Sequence, residues 1–138
     1  MSDIVIDANV AAALLIDLAY STPARQAVAG TERIIAPDIV VHEFANALWK
    51  LVTSGKMTES FAHQALTGLD VLVSDIVAGR TIVHEALRIA IELRHPVYDC
   101  FYLALAADRD ATLLTADRRL AARVEHTEFA DRLQLISA

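Results

Sequence analysis

The stretch of sequence that decides the fold runs from residue 95 to residue 105 and reads His95-Pro96-Val97-Tyr98-Asp99-Cys100-Phe101-Tyr102-Leu103-Ala104-Leu105. Pro96 suits the first turn of a helix, where its missing N–H leaves no hydrogen bond unmade. The predicted helix continues to about residue 108 and is apolar on nearly every face, which is typical of a buried helix. Asp99 therefore needs an ion-pair partner, a hydrogen bond or a metal ion, unless it only complements the positive end of the helix dipole.

The composition of the chain predicts one compact domain. It has 138 residues, of which 55% are hydrophobic and 22% charged, enough for a sizeable core. Asp17 ends the apolar run from Val10 and Asp99 splits the run after Pro96, so no segment is predicted to span a membrane. The first residues carry no positive leader, and the single cysteine, Cys100, falls in the buried helix as a core residue. These features favour a cytoplasmic protein.

The charge balance bears on possible partners. The formal net charge is −6, from 18 acidic residues against 12 Lys and Arg. A protein that binds nucleic acid only through its own basic residues has the opposite balance. Either the partner is not a nucleic acid, or the acids are clustered for a purpose and a cation compensates them.

Strands and helices are predicted to alternate along the chain. Short aliphatic runs predict strands, and apolar residues spaced by three or four positions predict helices. The predicted strands are residues 4–6, 34–36, 71–73, 111–115 and 133–136, and the predicted helices are residues 9–18, 22–29, 37–54, 58–69, 80–94, 96–108 and 116–124. This alternation predicts an α/β sandwich with a mostly parallel sheet and right-handed crossovers.

Acidic side chains are predicted to meet at one edge of this sheet. Sites in such folds lie beyond the carboxyl ends of the strands, where Asp7 follows the first strand and Asp117 follows the fourth. Glu43, early in a helix that follows a strand, can reach the same edge, and Asp99 completes a cluster of four carboxylates. Like charges this close raise each other's pKa. Hard oxygen ligands suit Mg²⁺ or Mn²⁺, which would also let an acidic protein meet a phosphate backbone.

Structural explanations exist for three of these acids. Asp7 could cap the helix that follows it, and Asp117 could cap the helix that begins at Arg118. Glu43 could be a solvated residue on a helix face. None of these explanations accounts for the convergence of four acids on one rim.

Four segments, taken in order, resemble a known family. They are Val5-Ile6-Asp7-Ala8-Asn9, Pro37-Asp38-Ile39-Val40-Val41-His42-Glu43, Val97-Tyr98-Asp99-Cys100-Phe101-Tyr102-Leu103-Ala104-Leu105-Ala106 and Leu114-Thr115-Ala116-Asp117-Arg118-Arg119-Leu120. Together they resemble the PIN domain, and most of all the VapC toxins of bacterial and archaeal toxin–antitoxin pairs. The resemblance covers nearly the whole chain and implies a single PIN domain over residues 1–138. The implied fold is a three-layer α/β/α sandwich with a mostly parallel central sheet.

The resemblance implies a metal-dependent endoribonuclease. The family's acidic cluster, which binds Mg²⁺ or Mn²⁺ and positions the attacking water, falls on Asp7, Glu43, Asp99 and Asp117. Asn9 and Thr115 fall at positions that support the acids or the metal's waters by hydrogen bonds, although many relatives carry Ser or Thr in place of Asn9. Some relatives have a further acid after the fourth, whereas residues 118–123 of this chain contain none. The implied products end in a 5′-phosphate and a 3′-hydroxyl.

Several basic and ring-bearing residues lie near these motifs. Those that could hold phosphates, or could equally be solvated surface, are Lys50, Arg118, Arg119 and Arg123. Neither His42 nor His95 is expected to bind metal or to act in acid–base chemistry. The aromatic residues are expected to fill the core or contact a partner rather than to stack on bases.

The resemblance also implies protein partners. VapC-like toxins usually form homodimers, and a cognate antitoxin lays a C-terminal segment in the acidic groove, often with an Arg near the metal. The helices at residues 9–18 and 37–54 are expected to carry such contacts, because they are richer in apolar residues than a small monomer needs.

Two other functions are compatible with parts of this sequence. A phosphatase or receiver domain also places an Asp at a strand end, but here Asn9 stands where the phosphatases have a second Asp, and no Lys follows the strand at residues 111–115. The second alternative is a metal-bound interaction module with little catalytic power, against which the presence of all four acids argues.

Overall fold

The fold is built on one parallel sheet. The computed structural model describes residues 3–31 and 33–137. Within these residues the strands are β1 (Ile4–Ile6), β2 (Ile34–Pro37), β3 (Asp75–Val77), β4 (Thr112–Thr115) and β5 (Leu133–Leu135), in the spatial order β3-β2-β1-β4-β5. Every neighbouring pair is parallel. The prediction of an α/β fold with a mostly parallel sheet is confirmed.

Helices cover the sheet. They are α1 (Ala8–Leu15), α2 (Ser21–Val28), α3 (Ile39–Thr53), α4 (Glu59–Leu72), α5 (Val83–Leu93), α6 (Val97–Asp108) and α7 (Arg118–Val124). The chain moves from β1 to β2 to β3 in one direction and then returns to β4 and β5 in the other. Because parallel crossovers are right-handed, the first four helices lie on one face of the sheet and the last three on the other. This gives three layers.

One predicted strand was wrong. Residues 71 and 72 form the last turn of α4, whose Val73 N–H still donates to the Leu69 carbonyl, and the strand begins only at Asp75. Leu69, Leu72 and Val73 follow the helical spacing of three and four, so a short apolar run fits a helix as well as a strand. Val71 points to solvent and adds nothing to the sheet.

Some helices begin or end at residues other than those predicted. The helix predicted over residues 9–18 ends at Leu15, because the Ser21 hydroxyl accepts from the Leu18 N–H and donates to the Ile16 carbonyl, which stabilises a turn there. The helix predicted from residue 80 begins at Val83, after a 3₁₀ turn at Gly79–Thr81. The helix predicted from residue 37 begins at Ile39, because Pro37 is the last residue of β2.

The core places α6 against the centre of the sheet. Val5 and Ile6 of β1 are fully buried, as are Leu103 and Leu105 of α6, which packs on β1, β2 and β4. The buried character predicted for this helix is confirmed. Among the described residues, no helix is both long and apolar enough to cross a bilayer.

The topology also defines where a site can form. β1 and β4 are neighbours whose following connections run in opposite directions. Such a switch point leaves a crevice between the helices at the carboxyl ends of the two strands. Asp7 and Asp117 lie at these ends.

Candidate active site

A cleft of about 420 Å³ opens at the switch point. All four acids predicted from the sequence line it, together with polar and apolar residues from α1, α3 and the loop before α2. The lining residues that enter the following description are Asp7, Asn9, Glu43, Asn46, Lys50, Asp99 and Asp117. Four different elements of the fold therefore contribute one carboxylate each to a single concave surface.

Asp7 joins β1 to α1 and is held at both oxygens. Its Oδ1 accepts from the Val10 N–H at 2.9 Å, which caps α1, and its Oδ2 accepts from the Thr115 hydroxyl at 2.5 Å. Burial raises the pKa of the Asp7 carboxyl from its ordinary 3.8 to about 6, the charges of Asp99 and Glu43 add to the rise, and the two hydrogen bonds oppose it. The capping role considered from the sequence is real, yet it leaves a carboxyl whose charge is costly without a cation.

Thr115 links the ends of β4 and β1. The parallel register pairs Ile6 with Leu114, so Asp7 and Thr115 come next to each other one step further on. Thr115 is fully buried, and its hydroxyl donates to Asp7 while accepting from the Asp117 N–H at 3.0 Å. One side chain thus holds the carboxylate of Asp7 and the backbone of Asp117.

Asp117 caps α7. Its Oδ1 accepts from the N–H groups of Arg119 and Leu120 at 2.9 and 3.1 Å. Both of these bonds go to the same oxygen, so the cap leaves Oδ2 free to bind a cation. As with Asp7, the capping and ligand roles are compatible.

Glu43 is held across the cleft by Tyr102. The Tyr102 hydroxyl donates to Glu43 Oε1 at 2.5 Å, although the two residues are 59 positions apart in the chain. Burial raises the pKa of Glu43, the charge of Asp99 adds to the rise, and the Tyr102 bond opposes it. Burial and the neighbouring Glu43 also raise the pKa of Tyr102, which keeps its hydroxyl protonated as a donor. Glu43 is therefore more than a solvated residue on a helix face.

Sequence reasoning assigned no site role to Tyr102. The available signal was its position three residues after Asp99 on a helix of aliphatic neighbours, because a buried tyrosine hydroxyl requires a hydrogen-bond partner. The partner itself could not be inferred from spacing, since it lies on α3.

Asp99 contacts His95, a histidine for which the sequence predicts no metal binding or acid–base role. His95 Nε2 lies 2.7 Å from Asp99 Oδ2, and the imidazole is only 6% exposed. One ligand atom from each of His95, Asp99 and Asp117 lies within 4.8 Å of the others. The spacing of four residues at a helix start was the signal that could have indicated this pair.

Of the remaining predicted residues, some line the cleft and others do not. Asn9 and Lys50 are exposed at the edge of the cleft, where Asn46 joins them. Arg118 and Arg119 are exposed on α7 and are not among the residues that line the cleft. A phosphate contact from either arginine stays a prediction.

The donor set fits a hard divalent cation. The four side chains offer carboxylate oxygens, the ligands that Mg²⁺ and Mn²⁺ prefer. Burial is the main cause of the raised pKa values of Asp7 and Glu43, and the charge of Asp99 adds to both, so their ionised forms carry a free-energy penalty. A bound cation would remove this penalty, and the metal-binding role of the four acids stays a prediction.

Comparison with known proteins agrees with this fold. The profile of the PIN domain family matches residues 4–126. Ribonuclease VapC3 of Pyrobaculum aerophilum is 32% identical over 120 residues, which cover 86% of this chain and 92% of that protein. Exonuclease VapC9 of the same organism is 31% identical over 94 residues, covering 68% of this chain and 69% of that protein.

A solved structure supports the same conclusion for the fold alone. A chain from VapBC2 of Rickettsia felis, crystallised with a promoter DNA fragment, superposes with a TM-score of 0.66 at 16% identity, over 98% of this chain and 99% of that chain. The resemblance to VapC proteins seen in the sequence motifs is confirmed by the identity to VapC3 and VapC9. From the family profile and the relatives together, the chain belongs to the PIN domain family.

Proposed function

We propose that the protein is a Mg²⁺- or Mn²⁺-dependent endoribonuclease, the toxin of a VapBC-type toxin–antitoxin pair. The observation that carries the proposal is the convergence of four carboxylates, each from a different element, on one cleft. The relative VapC3 is named a ribonuclease and the relative VapC9 an exonuclease, and both names support the proposal of nuclease activity for this chain. RNA is proposed as the substrate because VapC3 is named a ribonuclease.

The proposed roles follow from the contacts of each acid. Asp7, Glu43, Asp99 and Asp117 hold the cation, while Thr115 and Tyr102 keep the acids oriented by hydrogen bonds. A bound divalent cation would supply a more acidic water as the nucleophile and would stabilise charge on the phosphate. Lys50 and Asn9 line the edge of the cleft, and the proposed roles are contact with the RNA backbone for Lys50 and with the waters around the cation for Asn9.

The decisive experiment separates three outcomes with two substrates. A circular RNA and a linear RNA of the same sequence are incubated with the purified protein and Mn²⁺ or Mg²⁺, with EDTA as the control. An endonuclease opens the circle and leaves 5′-phosphate and 3′-hydroxyl ends. Degradation of the linear RNA alone would replace the proposal by an exonuclease, and no cleavage of either RNA would favour a metal-bound interaction module.

A pair of variants on α6 tests the site. Asp99→Asn removes a proposed ligand, whereas Asp108→Asn removes the same charge from the exposed far end of the same helix. We expect cleavage to be lost in the first and kept in the second. Equal activity in both variants would contradict the assignment of Asp99.

We further propose an antitoxin and a second copy of the chain as partners. α1 buries most of its side chains, so α3 offers more of the expected contact surface. The Trp49 side chain on α3 is 60% exposed beside an apolar groove of about 310 Å³ between α3 and α4. Size-exclusion chromatography with and without the antitoxin tests this, and a monomer in both runs would contradict it. The proposed setting is the cytoplasm.

A further inference from the structure

His95 occupies a tight turn between two helices. Arg94 ends α5 in the left-handed conformation, with φ of 54°, and Pro96 precedes the first residue of α6. The His95 N–H donates to the Ala90 carbonyl at 3.1 Å, which anchors its backbone to α5. A residue in a connecting turn is normally solvated, but this imidazole is 6% exposed and directed at Asp99.

The contact with Asp99 has a defined direction. A carboxylate acting as acceptor requires the hydrogen of this contact to be on Nε2 of His95, so the contact selects the Nε2–H form of the imidazole. The distance of 2.7 Å between His95 Nε2 and Asp99 Oδ2 is at the short end for N–H···O, as expected for an ionised acceptor. The Asp99 side chain is 34% exposed and, without this bond, would be free to change rotamer.

The same arrangement recurs at two other acids of the cleft. Asp7 is held by the Thr115 hydroxyl, and Glu43 is held by the Tyr102 hydroxyl. In each case a well-buried side chain donates one hydrogen bond to a carboxylate that is only partly buried. For Asp99 the corresponding donor is His95.

We infer that His95 is a positioning residue, whose Nε2–H holds the Asp99 carboxylate in the orientation in which it meets a divalent cation beside Asp117. This inference rests on the proposed function, because it takes the cleft to be a metal site. Hydrogen bonds of this kind to metal ligands typically contribute about 10- to 100-fold in metal affinity. Nε2 of His95 is not itself a ligand, because a nitrogen that donates to Asp99 has no lone pair for a cation, and Mg²⁺ and Mn²⁺ favour oxygen over the remaining ring nitrogen.

The test measures metal binding in the absence of RNA. Mn²⁺ affinity is determined by isothermal titration calorimetry for the wild type, His95→Ala, His95→Asn and His95→Gln, with thermal unfolding to verify that each variant folds. We expect about 10- to 100-fold weaker binding for Ala, and for Asn, whose amide is too short to reach Asp99. Gln places an N–H close to the position of Nε2 and should keep the affinity within a few-fold.

The chain contains a matched control. His63 and Glu59 form the same kind of pair four residues apart on α4, at 3.5 Å and fully on the surface. His63→Gln should bind Mn²⁺ as the wild type does.

A spectroscopic measurement tests whether His95 is itself a ligand. Electron spin echo spectra of Mn²⁺ bound to the wild-type protein should show no coupling to an imidazole nitrogen.

The outcomes distinguish this inference from the proposed function. Unchanged Mn²⁺ affinity in both His95→Ala and His95→Asn would overturn the positioning role while leaving the metal site in place. A directly coupled imidazole nitrogen that disappears in His95→Gln would overturn it in favour of ligation by His95. A wild-type protein that binds neither Mn²⁺ nor Mg²⁺ would overturn the proposed function, and the inference with it.

Discussion

Replacing Asp7 with Asn should stabilise the metal-free protein while weakening metal binding. The Asp7 pKa of about 6 in the folded protein lies above its ordinary 3.8, so the ionised form opposes folding. At about 1.4 kcal/mol per pKa unit this difference corresponds to about 3 kcal/mol at neutral pH and above. Asn keeps the cap on the Val10 N–H, since it is a good N-cap residue. Because Asp7 is partly accessible and Asn disturbs the Thr115 bond, we expect a net gain of about 1–2 kcal/mol.

The stability difference between Asp and Asn at position 7 should depend on pH in a defined direction. A carboxyl whose pKa is raised on folding contributes stability that is fully present below pH 3.8 and is lost as the pH rises through about 6. The advantage of Asn over Asp at position 7 should therefore be largest at about pH 8 and should shrink at about pH 5. Urea unfolding at both pH values, in EDTA, measures it.

A cation should reverse the order of stability. Mn²⁺ at about 100 times its Kd would stabilise the wild type by about 2.7 kcal/mol, and the Asp7→Asn variant by much less. The matched control is Asp70→Asn, which removes one negative charge from the exposed face of α4. If Asp7→Asn in EDTA at about pH 8 stabilises no more than Asp70→Asn does, the account of Asp7 as a carboxyl destabilised by burial is refuted.

Substitutions at three further positions distinguish effects on the site from effects on the stability of the fold. Tyr102→Phe leaves Glu43 without its donor and should shift the activity profile to higher pH, because loss of that hydrogen bond raises the pKa of Glu43 further; an unchanged profile would count against the link. Thr115→Val keeps the shape of a buried side chain but removes the hydroxyl shared by Asp7 and Asp117, so it should destabilise the protein by about 1–3 kcal/mol and weaken Mn²⁺ binding in calorimetry. Asp117→Asn should keep the cap on α7 and Asp117→Ala should lose about 1 kcal/mol more in urea unfolding, while both lose cleavage; retained cleavage in Asp117→Asn would remove this residue from the site.

Much of the fold follows from local patterns. The β-branched run of β1, the helical spacing in α5 and the apolar α6 each define an element from nearby residues alone. The error at residues 71–73 arose where the run was too short to distinguish the two periods. There the burial of Leu69 and Val73 against the rest of the chain continued the helix instead.

The sequence alone determined the order of strands and helices and the placement of Asp7 and Asp117 beyond strand ends, because hydrophobic period and turn chemistry are properties of neighbouring residues. Only the tertiary structure decided which donors hold the acids. Thr115 reaches Asp7 across 108 positions, and Tyr102 reaches Glu43 across 59, so both bonds depend on strand register and helix packing. His95 is the intermediate case: its spacing from Asp99 is local, but the burial of its imidazole, which is 6% exposed, is a property of the folded chain.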